Sequence, residues 1–453
     1  MSERIAMAAS LARFAVDRRA GHVPPSIVRE SKRALVNAVG AALGGCRDSA
    51  IEAMATTLAP LAGPPQAALF GRGSRADIAT AAELNAASAN VLDFDDAHLS
   101  TVIHPAAPVL GPCFALAEHR HASGQAFLEA FAIGMEIACR LGEALTQRHY
   151  LRGFHITATC GAVGAAFACS RLLDLSADRT AHAGGIAATQ AAGLVENLGF
   201  VAKSVGVGAA ARTGLLAALY AANGADAAPH WLEGKRGFLA VLSDAPDPAK
   251  LLDGLGERWE LARNTYKPYP TGVVLNPVLD AALEIAGAPD FDVAQVGRVS
   301  VRGAPLLLER ADRPHVETGR EAKISLQHAV ARALLRRRIG VEDFLDPAVA
   351  DGATCALRAR IFATSDIVFG PESAAVEASM ADGSIRRARV AQARGSVARP
   401  LSDADIDAKF DSLVAYGAPA IDARAARLAL RSIDESPDCG IAAAALLGLP
   451  AAQ

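Results

Sequence analysis

Apolar residues recur every three to four positions over most of the first 265 residues. That period predicts helices over residues 4–18, 26–44, 51–61, 76–92, 105–118, 124–145 and 180–192. The breakers agree with it. Pro24-Pro25 before Ser26 is a start signal, Gly44-Gly45 is a stop, and Gly63-Pro64-Pro65 and Gly71-Arg72-Gly73 are turns. Thr157 or Thr159 can cap a helix of small residues that runs to Leu173, and Lys203 opens another that runs to Asn223 and stops at Gly224. No strand pair is expected here. After Tyr269 the period shortens to two. Residues 297–303, 355–362, 374–380 and 384–390 read as strands, and Asp382-Gly383 as a hairpin turn. Helices over 273–287 and 321–338 are interleaved, and helical periodicity returns at 402–413 and 422–433. The expected fold class is mainly α with an α+β second domain. Residues 1-268 and 400-453 form a large all-helical domain, and residues 269-399 form the smaller α+β domain.

Composition narrows the picture. A chain of 453 residues exceeds one ordinary core, and 51% hydrophobic with 21% charged residues is globular. Aromatics are only 5%, so the helices must pack closely through Ala and Leu. The 45 basic and 48 acidic residues show no basic stripe, so nucleic acid is not expected as a partner. Seven scattered cysteines, none in a Cys-x-x-Cys pair, point to a reducing compartment. Met1-Ser2-Glu3-Arg4 does not open a signal peptide, and no apolar run of about 20 residues is expected to span a bilayer. The expectation is a soluble cytoplasmic protein without a membrane partner.

The polar exceptions to this apolar chain carry the candidate chemistry. Between Asn90 and Pro105, Asp93, Asp95, Asp96, His98 and His104 lie close together, interrupted by Phe94. Pro105 suits the first position of a helix, which puts His104 near its positive end, where the dipole favours the neutral ring. Three further segments place reactive groups at helix starts: Tyr150-Leu151-Arg152-Gly153-Phe154-His155, Lys203-Ser204, and Tyr266-Lys267-Pro268-Tyr269. If these ends converge, they suit a small anion with more than one carboxylate, and proton abstraction beside a carboxylate. Each piece has a bland alternative. The aspartates can cap or face water, and lone lysines are mostly solvated. His119-Arg120-His121 can complement a helix end, and His182 and His230 can be structural. Gly206-x-Gly208-x-x-Ala211 mimics half of a dinucleotide motif, but no strand precedes it, so close helix packing is the reading. A metal held by Asp93, Asp95, Asp96, His98 and His104 is possible by ligand type, but the spacing matches no established loop.

Asp93-Phe94-Asp95-Asp96-x-His98 with His104-Pro105, then Arg152-Gly153-Phe154-His155-x-Thr157-x-Thr159-x-Gly161, Lys203-Ser204 and Lys267-Pro268-Tyr269-Pro270, resemble the MmgE/PrpD family. Glu321-Ala322-Lys323-Ile324-Ser325-Leu326-Gln327 and Arg399-Pro400-Leu401-Ser402 extend the resemblance over nearly the whole chain. It implies a homodimer and acid–base chemistry on small di- or tricarboxylates with no metal and no organic cofactor. The relatives are 2-methylcitrate dehydratase, cis-aconitate decarboxylase and iminodisuccinate epimerase. By the same resemblance His104, Lys267, His155, Lys203 and Tyr150 are the catalytic candidates. Asp93, Arg152, Tyr269, Thr157 and His328 are the substrate-binding ones. His104 or Lys267 is the expected base. Ala97 stands where many members carry Thr, Gly272 where the decarboxylase type carries His, Asn276 where His is common, and His328 where Tyr is frequent. The expected activity is that of a 2-methylcitrate dehydratase-like lyase, with an epimerase, a decarboxylase or a non-catalytic carboxylate-binding protein as alternatives.

Overall fold

A computed structural model describes residues 7–17, 19 and 22–447. The start of the first expected helix and Met1 to Arg4 lie outside them. The chain divides into two compact units. Unit 1 takes residues 1–91, 95–264 and 403–453, and unit 2 takes 92–94 and 265–402.

Unit 1 begins with α1 (Met7–Val16), α2 (Pro25–Gly45) and α3 (Ser49–Leu58). Two strands, β1 (Ala67–Leu69) and β2 (Ser74–Ala76), then pair antiparallel around the Gly71-Arg72-Gly73 turn. This hairpin corrects the all-helical expectation. Its strands are only three residues long and, Leu69 apart, their apolar positions are alanine, so they carry no strand signal. Then come α4 (Ile78–Val91), the short strand β3 (Asp96–His98), α5 (Ala106–His119), α6 (Gly124–Leu151), α7 (Ile156–Leu172), α8 (Ala177–Ala188) and α9 (Val201–Ala222). Two short helices, α10 (Phe238–Leu242) and α11 (Ala249–Leu252), lead to strand β4 (Asn264–Tyr266). Helix α6 runs beyond the expected residue 145 across a break at Thr146, whose φ is 58°.

The small residues do what the composition requires. Helices α6 and α7 approach until a Cβ on Gly164 would stand 2.5 Å from the Gly134 carbonyl oxygen. A Cβ on Gly208 of α9 would stand 2.7 Å from the Glu83 carbonyl oxygen of α4, which bears out close packing at that glycine. Contrary to the expectation of no spanning run, α9 is long and apolar enough to cross a membrane by length and composition. Half of its apolar window is buried inside the protein, where it packs on α4, α7 and α8.

Unit 2 centres on a four-stranded sheet of order β6-β5-β7-β8. Its strands are β5 (Val296–Gly303), β6 (Ile361–Ser365), β7 (Ala374–Met380) and β8 (Ile385–Val390). Strand β5 is parallel to β6 and antiparallel to β7, with Val301 opposite Val376. The helices are α12 (Asn276–Gly287), α13 (Pro305–Ala311), α14 (Gly319–Ala322), α15 (Leu326–Arg336), α16 (Asp346–Val349) and α17 (Gly352–Arg358). Residues 355–362, expected as one strand, divide into the end of α17 and the start of β6. Asp351 caps α17 by accepting from the Thr354 N–H, and the side-chain bond starts a helix where alternation alone suggests a strand. Val299, Val301, Val376 and Ala378 face a core completed by Leu279 and Ala282 of α12 and Val330 of α15.

The chain then returns to unit 1 as α18 (Asp403–Gly417), α19 (Ala423–Arg431) and α20 (Cys439–Leu447). Helix α18 lies on α2, with Phe410 against Gly40 and the buried Lys409 Nζ donating to Asn37 Oδ1 at 2.8 Å.

Candidate active site

The approach to His104 is built by a tight excursion of the chain. The His98 N–H donates to the Ile103 carbonyl at 2.8 Å, closing residues 98–103 into a loop. Val102 adopts φ 56° at its tip, a conformation that a β-branched residue takes only when its surroundings impose it. The loop returns His104 to β3. Its Nδ1 lies 2.6 Å from the Asp96 carbonyl oxygen and 3.6 Å from Asp95 Oδ1, and its N–H donates to Thr157 Oγ1 at 3.1 Å. A carbonyl only accepts, so Nδ1 carries the hydrogen and Nε2 the lone pair. His104 stands one residue further from the helix than expected, because Pro105 is the cap and α5 starts at Ala106.

The two carboxylates below His104 have different surroundings. Asp95 accepts from Asn90 Nδ2 at 2.7 Å. Asp96 accepts from the Ala106 N–H at the start of α5 and from Asn264 Nδ2 at 2.9 Å. Burial, with the charge of Asp95 beside it, pushes the Asp96 carboxyl up to about 7.

Thr157 therefore serves as an acceptor for His104 and not as a helix cap. His155 is the N-cap residue of α7, buried, without a side-chain capping bond. Thr159 bonds His149, whose other ring nitrogen faces the Leu242 carbonyl. Burial holds His149 down at about 4, so it is neutral. Lys203 is buried in the first turn of α9, inside the helix where the sequence suggests its start. Next to it Ser204 Oγ donates to Asn90 Oδ1 at 3.1 Å. Tyr150 lies half-buried in the last turn of α6. Arg152 is exposed, donates to the Val241 carbonyl and rests its guanidinium against Phe154. His182 and His230 engage Ala227 and Glu233, as structural histidines do.

In unit 2 the buried Lys267 donates to the Asp93 carbonyl at 3.2 Å, with the Asp93 carboxylate 4.0 Å from its Nζ. Asp93 takes φ 55° to present that carbonyl. Lys267 follows β4 and lies nine residues before α12, so no helix starts at it. Two other candidates have internal partners. Tyr269 OH donates to Asp280 Oδ1 at 2.7 Å, and burial with that charge raises its phenol. His328 is fully buried, faces the Asp343 carbonyl through Nε2 at 2.8 Å, and is held down at about 4 by burial.

Of the Asp/His run, His98 is the member that joins a group of possible metal ligands among the described residues. Among the described residues, His98, Glu143 and Glu260 place ligating atoms within 4.8 Å of one another. Arg258 and Arg263 pair with Glu260, and Lys250 with Glu143. Burial works to raise Glu260, and hydrogen bonds from His98 and Arg258 outweigh it, leaving the carboxyl at about 2. Three cations already serve two carboxylates, which leaves the cluster an ion-pair network poorly suited to a divalent metal.

Residues 9–251 match the MmgE/PrpD N-terminal domain and residues 269–435 the MmgE/PrpD C-terminal domain. The chain belongs to the MmgE/PrpD family. It is 33% identical over 226 residues to the cis-aconitate decarboxylase-like protein oryM of Aspergillus oryzae, covering 48% of this chain and 47% of that protein. It is 30% identical over 271 residues to cis-aconitate decarboxylase of Aspergillus terreus, covering 56% and 55%. The human cis-aconitate decarboxylase is 24% identical over 412 residues, covering 86% and 84%. The match thus spans about half the length of the two fungal relatives. Within this MmgE/PrpD chain, sequence reasoning singled out His104 and Thr157 but overlooked Asn264 and gave no role to Asn90 or Ser204. Asn90 heads the acidic stretch and Ser204 follows Lys203, so position was the available signal.

Proposed function

We propose that this chain is a lyase that removes a proton beside a carboxylate of a small di- or tricarboxylate and expels water, as a 2-methylcitrate dehydratase does. The reaction proposed draws on protein side chains alone. The observation that carries the reading is the bonding of His104. With Nδ1–H held by the Asp96 carbonyl, Nε2 is the basic nitrogen, and the imidazolium formed on proton uptake has the Asp95 carboxylate 3.6 Å away. Dehydration begins with such a proton removal, whereas decarboxylation of cis-aconitate needs a proton delivered to carbon. The proposal gives carboxylate binding to Lys203 and His155 and proton delivery to the departing hydroxyl to Tyr150. Lys267 is the alternative base, although its bond to the Asp93 carbonyl uses one of its protons.

A second reading, decarboxylation, is favoured by the names of the relatives. Proton NMR in D2O on separate incubations with 2-methylcitrate, citrate, cis-aconitate and iminodisuccinate separates them. New alkene signals from either citrate support the dehydratase. Itaconate from cis-aconitate supports the decarboxylase, and deuterium entering iminodisuccinate without loss of atoms supports an epimerase. If no acid turns over or exchanges beyond a His104→Ala control, the proposal falls. The homodimer also belongs to this proposal, and light scattering at micromolar concentration tests it.

A further inference from the structure

Asn90 and Ser204 take part in no step of the proposed reaction, yet both are almost completely buried and polar. A buried amide and hydroxyl joined in series need a reason. Ser204 Oγ donates to Asn90 Oδ1 at 3.1 Å, and Asn90 Nδ2 donates to Asp95 Oδ2 at 2.7 Å. The other Asp95 oxygen faces His104 Nδ1 at 3.6 Å. The order of donors is fixed by chemistry. An ionised carboxylate only accepts, so Asn90 must offer it the NH2 group, which leaves the amide oxygen for Ser204. With the amide reversed, two oxygens would oppose each other. The Asp95 carboxylate therefore fixes which end of the α4 amide faces it, and the hydroxyl on α9 holds the amide there by donating to the oxygen that is left.

We infer that Asn90 is a positioning residue for His104, acting through Asp95 and held in place by Ser204. The inference rests on the reading of His104 as the base. A carboxylate held near Nδ1 favours the imidazolium and so makes Nε2 more basic. Loss of Asn90 takes one hydrogen-bond donor from a 1% exposed carboxylate, so Asp95 takes up a proton or turns away. Either change weakens the base. The same series links the helix that carries Lys203 to His104, since Ser204 is the next residue along α9.

The test is the titration of the His104 ring, followed by NMR of histidine-labelled protein without substrate and assigned by its loss in His104→Gln. Asn90→Ala is expected to lower the midpoint by roughly one unit. Ser204→Ala, a small buried change that keeps Asn90 itself, is expected to lower it by less. Ser88→Ala removes a buried hydroxyl on the same helix that donates to the Leu84 carbonyl, and should leave the midpoint in place. Where a substrate is turned over, Asn90→Ala should lower kcat about ten-fold, leave KM within about two-fold, and move the acid limb of the pH profile with the NMR midpoint. An unmoved midpoint in both Asn90→Ala and Ser204→Ala overturns the inference, and so does an equal shift in Ser88→Ala. Because the midpoint is read without turnover, a shift in an inactive protein upholds the positioning role and removes the lyase reading instead.

Discussion

At the scale of the residue, one carboxylate and one imidazole make separable predictions. His104→Ala should lower kcat by about 10²- to 10⁴-fold, the usual worth of a positioned base, in the substrate assay described above. Asp96 governs stability. Burial pushes its folded carboxyl up to about 7, against 3.8 for an ordinary aspartate, so between these values the folded state holds a proton that the unfolded chain has lost. Its contribution is complete below the unfolded value and is lost as pH rises through the folded one. Asp96→Asn should flatten that loss, seen as a smaller fall in the urea midpoint between pH 5 and pH 8. The acidic stretch and the His-Pro step were legible because charge stands out in an apolar chain. Asn90, Asn264 and Ser204 were not, since neutral side chains gain meaning only from partners far along the sequence. Tyr269 and His328, both expected to bind substrate, each have an acceptor in unit 2 that no spacing reveals.

At the scale of the element, the period identified the long helices and three of the four strands of the unit 2 sheet. It failed where local bonds decide. The Asp351 cap made a helix of the start of the expected 355–362 strand, and the β1–β2 hairpin rests on a turn and two three-residue strands. It could not show how closely helices cross, although the alanine content did require close crossing. That closeness is testable at α6 and α7. Gly164→Ala places a Cβ against the Gly134 carbonyl and 3.0 Å from Ala138 Cβ, both on the neighbouring helix. It should destabilise the protein by about 1–3 kcal/mol through overpacking, measured by urea denaturation. Gly206→Ala meets nothing within 4 Å and should cause no such loss.

At the scale of the whole molecule, unit 1 is assembled from segments on both sides of unit 2. A chain ended at Ser402 lacks α18, so Asn37, Gly40 and Gly44 of α2 lose Lys409, Phe410 and Gly417. Such a chain should lose the cooperative heat-absorption peak of unit 1 in calorimetry, while unit 2 keeps every residue assigned to it. The same arrangement has a consequence for biosynthesis. Helix α2 leaves the ribosome early, and the helix that covers it follows some 350 residues later, on the order of tens of seconds at ordinary elongation rates. Throughout that interval the face of α2 that carries Asn37, Gly40 and Gly44 stands open on the nascent chain. The protein is therefore expected to rely on chaperone binding during translation, and slowing elongation between α2 and α18 should raise the fraction that aggregates.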